Sequence, residues 1–232
     1  MGSREVVQAT GQVGTHSTPA QGPCSERPLL IVCALSIEKL ALRGRANGRA
    51  DVLRTGMGPA NARRAVHDAL SAPALRDTAV IASGFCAGLA PGMLPGDLVV
   101  ATATRTGADS GDSATICTEV RSLADAVGRA VPGRAVHTGV LIGSDHVVRG
   151  PERAALHTGG AIAVDMESAV TLRTALTIGT RPVAAVRVVV DAPEHELVRL
   201  GTVRGGISAF RVLRAVLPAF HEWHRSLLLP WR

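Results

Sequence analysis

Residues Ala161–Asp191, AIAVDMESAVTLRTALTIGTRPVAAVRVVVD, read as strand, helix, strand. AIAVDM is a short apolar run that stops at two acids, Asp165 and Glu167. The following ESAVTLRTALTIG spaces Ala169, Leu172 and Leu176 as a helix does and closes on Gly179, a C-terminal stop signal. VAAVRVVVD is almost continuously small or β-branched, the pattern of a strand buried on both faces of a parallel sheet, and it too ends in an acid, Asp191. Two parallel strands each delivering a carboxylate at their carboxyl ends would place both where open α/β sheets form ligand crevices. The plainer alternative is that each acid caps the segment after it.

A chain of 232 residues is long enough for one sizeable α/β domain. Hydrophobic residues make up 46% and charged residues 19%, so a buried core is within reach. Aromatics are only 2% and tyrosine is absent, which argues against a module that stacks nucleic-acid bases. The net charge of +6 comes from scattered arginines such as Arg43, Arg54, Arg121, Arg153 and Arg173, not from one basic stripe, and no nucleic-acid partner is expected. Cys24, Cys33, Cys86 and Cys117 lack C-x-x-C spacing and read as free thiols of a reducing compartment, with no metal site. No apolar run has the length of a membrane span. Residues 1–28 are rich in Gly, Ser, Thr and Pro and lack a signal-peptide core, so a disordered tail is expected ahead of a domain over 29–232, in a cytoplasmic protein.

Along the domain, LLIVCAL reads as a first and central strand, followed by the helix SIEKLALR. ADVLRTG is a second strand and GMGPANARRAVHDALS a helix. TAVIASG is a buried strand running into GFCAGLAPGMLPGDLVVAT, where Gly84, Gly88, Gly92 and Gly96 suggest a tight backbone loop before a return strand. Residues 105–115 are polar and read as a loop or lid; EVRSLADAVGRAV is a helix, HTGVLIGSD a strand and GPERAALHTG a short helix. APEHELVRLGTVRGG is expected to be a polar loop. The last helical segment carries an apolar stripe of Phe210, Leu213, Leu217, Phe220, Trp223 and Leu227, kinked at Pro218. This alternation predicts a three-layer α/β/α domain around a central mixed, largely parallel sheet.

The Gly-rich loop is neither G-x-G-x-x-G nor a Walker A sequence, so a dinucleotide or NTP site is disfavoured. Taken together, ALSIEK, TGMGPANA, GFCAGLAPGMLPGDLVVAT, GSDHV, AIAVDMESA and VRVVVD resemble, in order and spacing, the nucleoside phosphorylase and methylthioadenosine/S-adenosylhomocysteine nucleosidase superfamily. The loop and the C-terminal segment look most like its hopanoid-associated branch, taken to remove adenine from adenosylhopane. The resemblance implies cleavage of an N-glycosidic bond through a cation-like sugar. Asp191 matches the acid that protonates the purine, and Glu38 the base that positions and deprotonates a water. Glu167 matches the ribose-binding glutamate, with Met166 under the sugar, and Gly84, Phe85, Cys86, His146 and Val147 fall on the substrate-binding segments.

Three departures accompany the match. Phe85 stands where many relatives carry a serine, His146-Val147 where nucleosidases carry Ala-Phe, and no arginine precedes the Gly-rich loop where phosphate would need one. Water is therefore preferred over phosphate as nucleophile, although phosphate stays open as a co-substrate; Arg187 is read as the buried partner of an acid such as Glu38 or Asp165. No cofactor is implied. The substrate reading is a small or lipid-linked adenine nucleoside, adenosylhopane first and a methylthioadenosine/S-adenosylhomocysteine or futalosine nucleosidase as the alternative. A non-catalytic nucleoside-binding protein is the rival from another class. The resemblance also implies a homo-oligomer, and the C-terminal stripe with its arginines raises contact with a membrane surface.

Overall fold

The computed structural model describes residues 28–43, 50–107, 114–192 and 202–228. Its strands are β1 (Leu29–Cys33), β2 (Ala50–Arg54), β3 (Ala79–Gly88), β4 (Leu98–Thr106), β5 (Thr115–Ile116), β6 (Val136–Gly143), β7 (Ala161–Asp165) and β8 (Val183–Asp191). The helices are α1 (Ser36–Arg43), α2 (Pro59–Leu70), α3 (Val120–Ala130), α4 (Pro151–Thr158), α5 (Ser168–Ile178), α6 (Thr202–Ala215) and α7 (Leu217–Ser226). The expected tail over 1–28 falls, but for Pro28, outside the described residues, as do Cys24 and most of the two polar loops.

The expected three layers form around one mixed sheet. Successive residues of β1 face opposite sides: Leu29, Ile31 and Cys33 enter one core, Leu30 and Val32 the other. The first core is closed by α1, α3, α6 and α7 through residues such as Leu42, Leu123, Leu213 and Trp223; the second is closed by α2 and α5 through Val66, Leu70 and Leu172. A sheet covered on both faces explains why β8 can be apolar nearly throughout.

Strand directions depart from the sequence reading. β1, β2, β3 and β8 run one way, whereas β4, β6 and β7 run the other. β7 and β8 are thus neither neighbours nor parallel; each pairs with β3, β7 antiparallel and β8 parallel. Because β8 also pairs with β4, strands β3, β7, β6, β4 and β8 close into a circuit instead of an open sheet. The acids at their ends still meet, because β3 lies between them: Val164 pairs with Ala87 from one side and Asp191 pairs with Ala87 from the other.

Four smaller corrections concern single segments. β1 is second from the sheet edge, not central. Gly84 and Gly88 belong to strand β3, so the turn before β4 begins only at Leu89. Thr202–Gly206 is helical and not loop. Pro218 does not merely kink the C-terminal helix; it sits in the first turn of α7, and the chain divides into two helices there.

The apolar stripe of those helices is core. Leu213, Leu217, Phe220 and Trp223 are fully buried, Phe210 and Leu227 pack on the same cluster, and Trp223 Nε1 donates to the Thr118 carbonyl at 3.0 Å. The stripe therefore packs against the sheet and is not itself a surface for membrane contact. Leu228 is exposed, and residues 229–232 lie outside the described residues. No described helix is long and apolar enough to cross a membrane.

Candidate active site

A cavity of about 290 Å³ opens where the ends of β3, β7 and β8 meet the start of α1. Its lining includes Glu38, Phe85, Cys86, His146, Val147, Met166, Glu167 and Asp191. Of the residues singled out in the sequence only Gly84 is absent from this wall, because it stands behind it. Apart from its acids and His146 the lining is apolar, as small-molecule sites usually are.

Glu38 begins α1 but is not the solvated first-turn acid that its position allows. It is 2% exposed, and both of its oxygens are taken by backbone amides. Oε2 accepts from Ala34 and Leu35 N–H at 2.9 and 2.8 Å, and Oε1 accepts from Phe85 N–H at 2.8 Å. The last bond ties α1 to β3.

Asp165 and Arg187 form a buried pair, Nη2 to Oδ2 at 2.7 Å, and Arg187 Nε donates to Ser168 Oγ at 2.8 Å. Asp165 also accepts from Ser168 N–H at the first turn of α5, so it caps that helix as its position suggested. Burial works against the charge of Arg187, but Asp165, Glu38 and Glu167 around it outweigh burial and hold the guanidinium above its ordinary range. Arg187 pairs in register with Gly84 across β3 and β8. A Cβ at Gly84 would lie 2.4 Å from Glu38 Oε1 and 2.6 Å from Arg187 Nη1, and its φ of +148° is one that L side chains rarely adopt. The glycine is what lets acid and arginine approach the strand.

Glu167, at the start of α5, accepts from Gly58 N–H at 2.8 Å and so joins α5 to the loop before α2. Burial raises its pKa; Arg187 works in the opposite direction, and Asp165 adds to the rise. Burial likewise pushes the Cys86 thiol up and takes that of Cys33 to about 12.

Asp191 is presented by an irregularity. Cys86 pairs with Val189 but Ala87 pairs with Asp191, so Val190 is an extra residue in β8. Such a bulge re-aims side chains, and here two successive residues, Val190 and Asp191, both reach the cavity. Asp191 Oδ2 lies 3.3 Å from Arg153 Nη1, whereas Oδ1 is buried with no hydrogen-bond partner among the described residues.

His146 and Val147 are exposed at the cavity mouth. His146 is held between Asp145 at 2.7 Å and Glu152 at 3.0 Å, and these two acids raise its pKa, Asp145 most. His146 and Met166 also form the boundary with a second cavity of about 410 Å³, lined by Thr106, Ser144, Asp145, Glu152 and apolar residues of α4 and α5. Arg153 is the residue that sequence reasoning missed. It stood in the sequence as one of many scattered arginines, and nothing local marks it as 5% exposed and directed at Asp191.

The sequence model described as the phosphorylase superfamily matches residues 38–218. No curated protein matches the chain. Among solved structures, it is similar to the 5′-methylthioadenosine/S-adenosylhomocysteine nucleosidase of Neisseria meningitidis in complex with methylthio-immucillin-A, with a TM-score of 0.70 at 20% identity over 85% of this chain and 99% of that one. The S-adenosylhomocysteine nucleosidase of Streptococcus pyogenes matches with a TM-score of 0.67 at 19% identity, covering 87% and 98%. A futalosine hydrolase mutant of Helicobacter pylori matches with a TM-score of 0.66 at 17% identity, covering 85% and 99%.

Proposed function

This chain belongs to the phosphorylase superfamily, and from that premise we propose that it hydrolyses the N-glycosidic bond of an adenine nucleoside. The observation that carries the reading is the convergence of Glu38, Glu167 and Asp191 on one cavity of nucleoside size. In the proposed step Asp191 gives its proton to the purine, and the C1′–N bond breaks with its electron pair passing to the base. Positive charge then develops on the sugar. Glu38 and Glu167, beside the paired Asp165 and Arg187, form an acid-rich wall suited to that charge. Glu167 holds the ribose hydroxyls with Met166 beneath the ring, and Glu38 takes the proton of the water that adds to C1′.

Water is favoured as nucleophile because no arginine lines the cavity among the described residues. Arg187 is committed to Asp165 and Ser168, and Arg54 is exposed and away from the lining. The 5′ substituent is proposed to be short and soluble, as in methylthioadenosine or S-adenosylhomocysteine. The lipid-linked reading, adenosylhopane, rests on the likeness of the loop and the C-terminal segment to the hopanoid-associated branch, whereas the solved structures of similar fold are nucleosidases named for methylthioadenosine and S-adenosylhomocysteine, which favours the short substituent. Incubation with methylthioadenosine, S-adenosylhomocysteine and futalosine in phosphate-free buffer containing oxygen-18 water tests the proposal. Adenine release with label at C1 of the sugar is expected from at least one of the first two. No base release from any of the three would sink the reading; strict dependence on phosphate would overturn the nucleophile.

A further inference from the structure

We infer that Arg153, on α4 and outside the cavity, is a positioning residue that serves Asp191 during proton transfer; the inference rests on the role proposed above for Asp191. Arg153 is 5% exposed, and its guanidinium is spent on two groups. Nη1 lies 3.3 Å from Asp191 Oδ2, and Nη2 donates to the Gly88 carbonyl at 3.2 Å. Gly88 ends β3 and Asp191 ends β8, so one side chain fastens the acid to the strand beside it.

The two carboxyl oxygens of Asp191 are thereby made different. Oδ2 has a buried cation next to it, whereas Oδ1 is buried with no donor among the described residues. A buried oxygen without a partner is costly to keep and in native sites calls for an explanation. The leaving base of a bound nucleoside would supply one, as the group that receives a proton from Oδ1 in the proposed step. When that proton passes to the leaving base, the O–H bond breaks, an N–H bond forms, and a full negative charge is left on the carboxylate. Arg153, itself buried, is already in place beside it, where a fixed charge acts more strongly than in solution. The same cation adds nothing to steps in which Asp191 keeps its charge state.

This separation defines the test. A nucleoside requires a proton on its leaving base, whereas p-nitrophenyl β-D-ribofuranoside releases nitrophenolate without one. Arg153→Met is expected to lower kcat on the adenine nucleoside by about 10²-fold, while KM and the rate on the nitrophenyl riboside stay within about 3-fold. Arg153→Lys, which keeps the charge, should recover most of the nucleoside rate. In an Asp191→Asn background, Arg153→Met should cause no further loss, because the two act as one unit. Equal losses on both substrates, or a loss additive with that of Asp191→Asn, would overturn the inference. If Arg153→Met fails to fold, Arg153→Gln carries the same comparison. A wild-type protein inert toward every adenine nucleoside would instead sink the function proposed above, and the inference with it.

Discussion

Glu38 and Asp191 line the same cavity but are held in opposite ways. Glu38 accepts three backbone N–H groups, from the turn before α1 and from β3, and every one belongs to the scaffold. Asp191 has one arginine at 3.3 Å and one buried oxygen with no hydrogen-bond partner among the described residues. Three amide donors fix the orientation of a carboxylate, which suits a group that must position a nucleophile. A carboxyl left half unsatisfied keeps a place for a proton or a ligand donor, which suits a group that must exchange one. The contrast in hydrogen-bond supply matches the two different roles proposed for these acids.

The sharpest way to break this contrast is Asp191→Asn. The amide still offers an oxygen to Arg153 and a hydrogen bond to a purine but has no proton to give. A fall in turnover of about 10⁴-fold is expected, with nucleoside binding retained in calorimetry. Near-normal turnover would remove Asp191 from the acid role. Glu38→Gln comes next. Glu38 uses both oxygens as acceptors, so an amide must turn its NH₂ toward either Phe85 N–H or the Ala34 and Leu35 pair. Turnover should fall about 10²-fold, and stability to denaturant by about 1–3 kcal/mol, through the unmatched donors. A variant with full stability would mean that the amide donors do not fix Glu38 as described.

The smallest effect belongs to Glu167→Gln. Burial raises the Glu167 pKa in the folded chain, so the folded state holds its proton more readily than the unfolded one. Stability from this group is therefore present below the ordinary glutamate range and is lost as pH rises through the raised value. At pH 7 the glutamine variant should melt no lower than wild type, and up to ~4 °C higher, with the difference vanishing in acid. A variant that melts well below wild type at pH 7 would show that the bond to Gly58 outweighs the burial of charge.

Much of this arrangement was legible in the sequence because it depends on local pattern. Apolar runs, helical spacing and glycine stops locate the strands and helices, and an arginine inside an apolar strand marks Arg187 as the partner of an acid such as Glu38 or Asp165, of which Asp165 is the one it pairs with. What stayed hidden is non-local. Nothing within AIAVD or VRVVVD says which strand each will pair with, so their opposite directions and the closed circuit could not be read from either. Gly84 looked like a loop glycine because a strand glycine and a turn glycine are the same letter; only the crossing of Glu38 and Arg187 explains it. The C-terminal stripe shows in the sequence as one apolar helical face, but which layer that face packs on is decided only by the folded chain. Arg153 was invisible for a similar reason, since a helix arginine reads as solvated until its burial is known.

Cys86 gives the cavity a chemical character of its own. Its sulfur sits in the wall, and burial, reinforced by Asp165, keeps it a thiol well beyond neutral pH. The thiolate is the form that attacks electrophiles, so a covalent probe shaped like a nucleoside would meet a poor nucleophile at this point in the wall. Selective chemistry against this site would have to imitate the charge distribution of the breaking bond instead of capturing its sulfur.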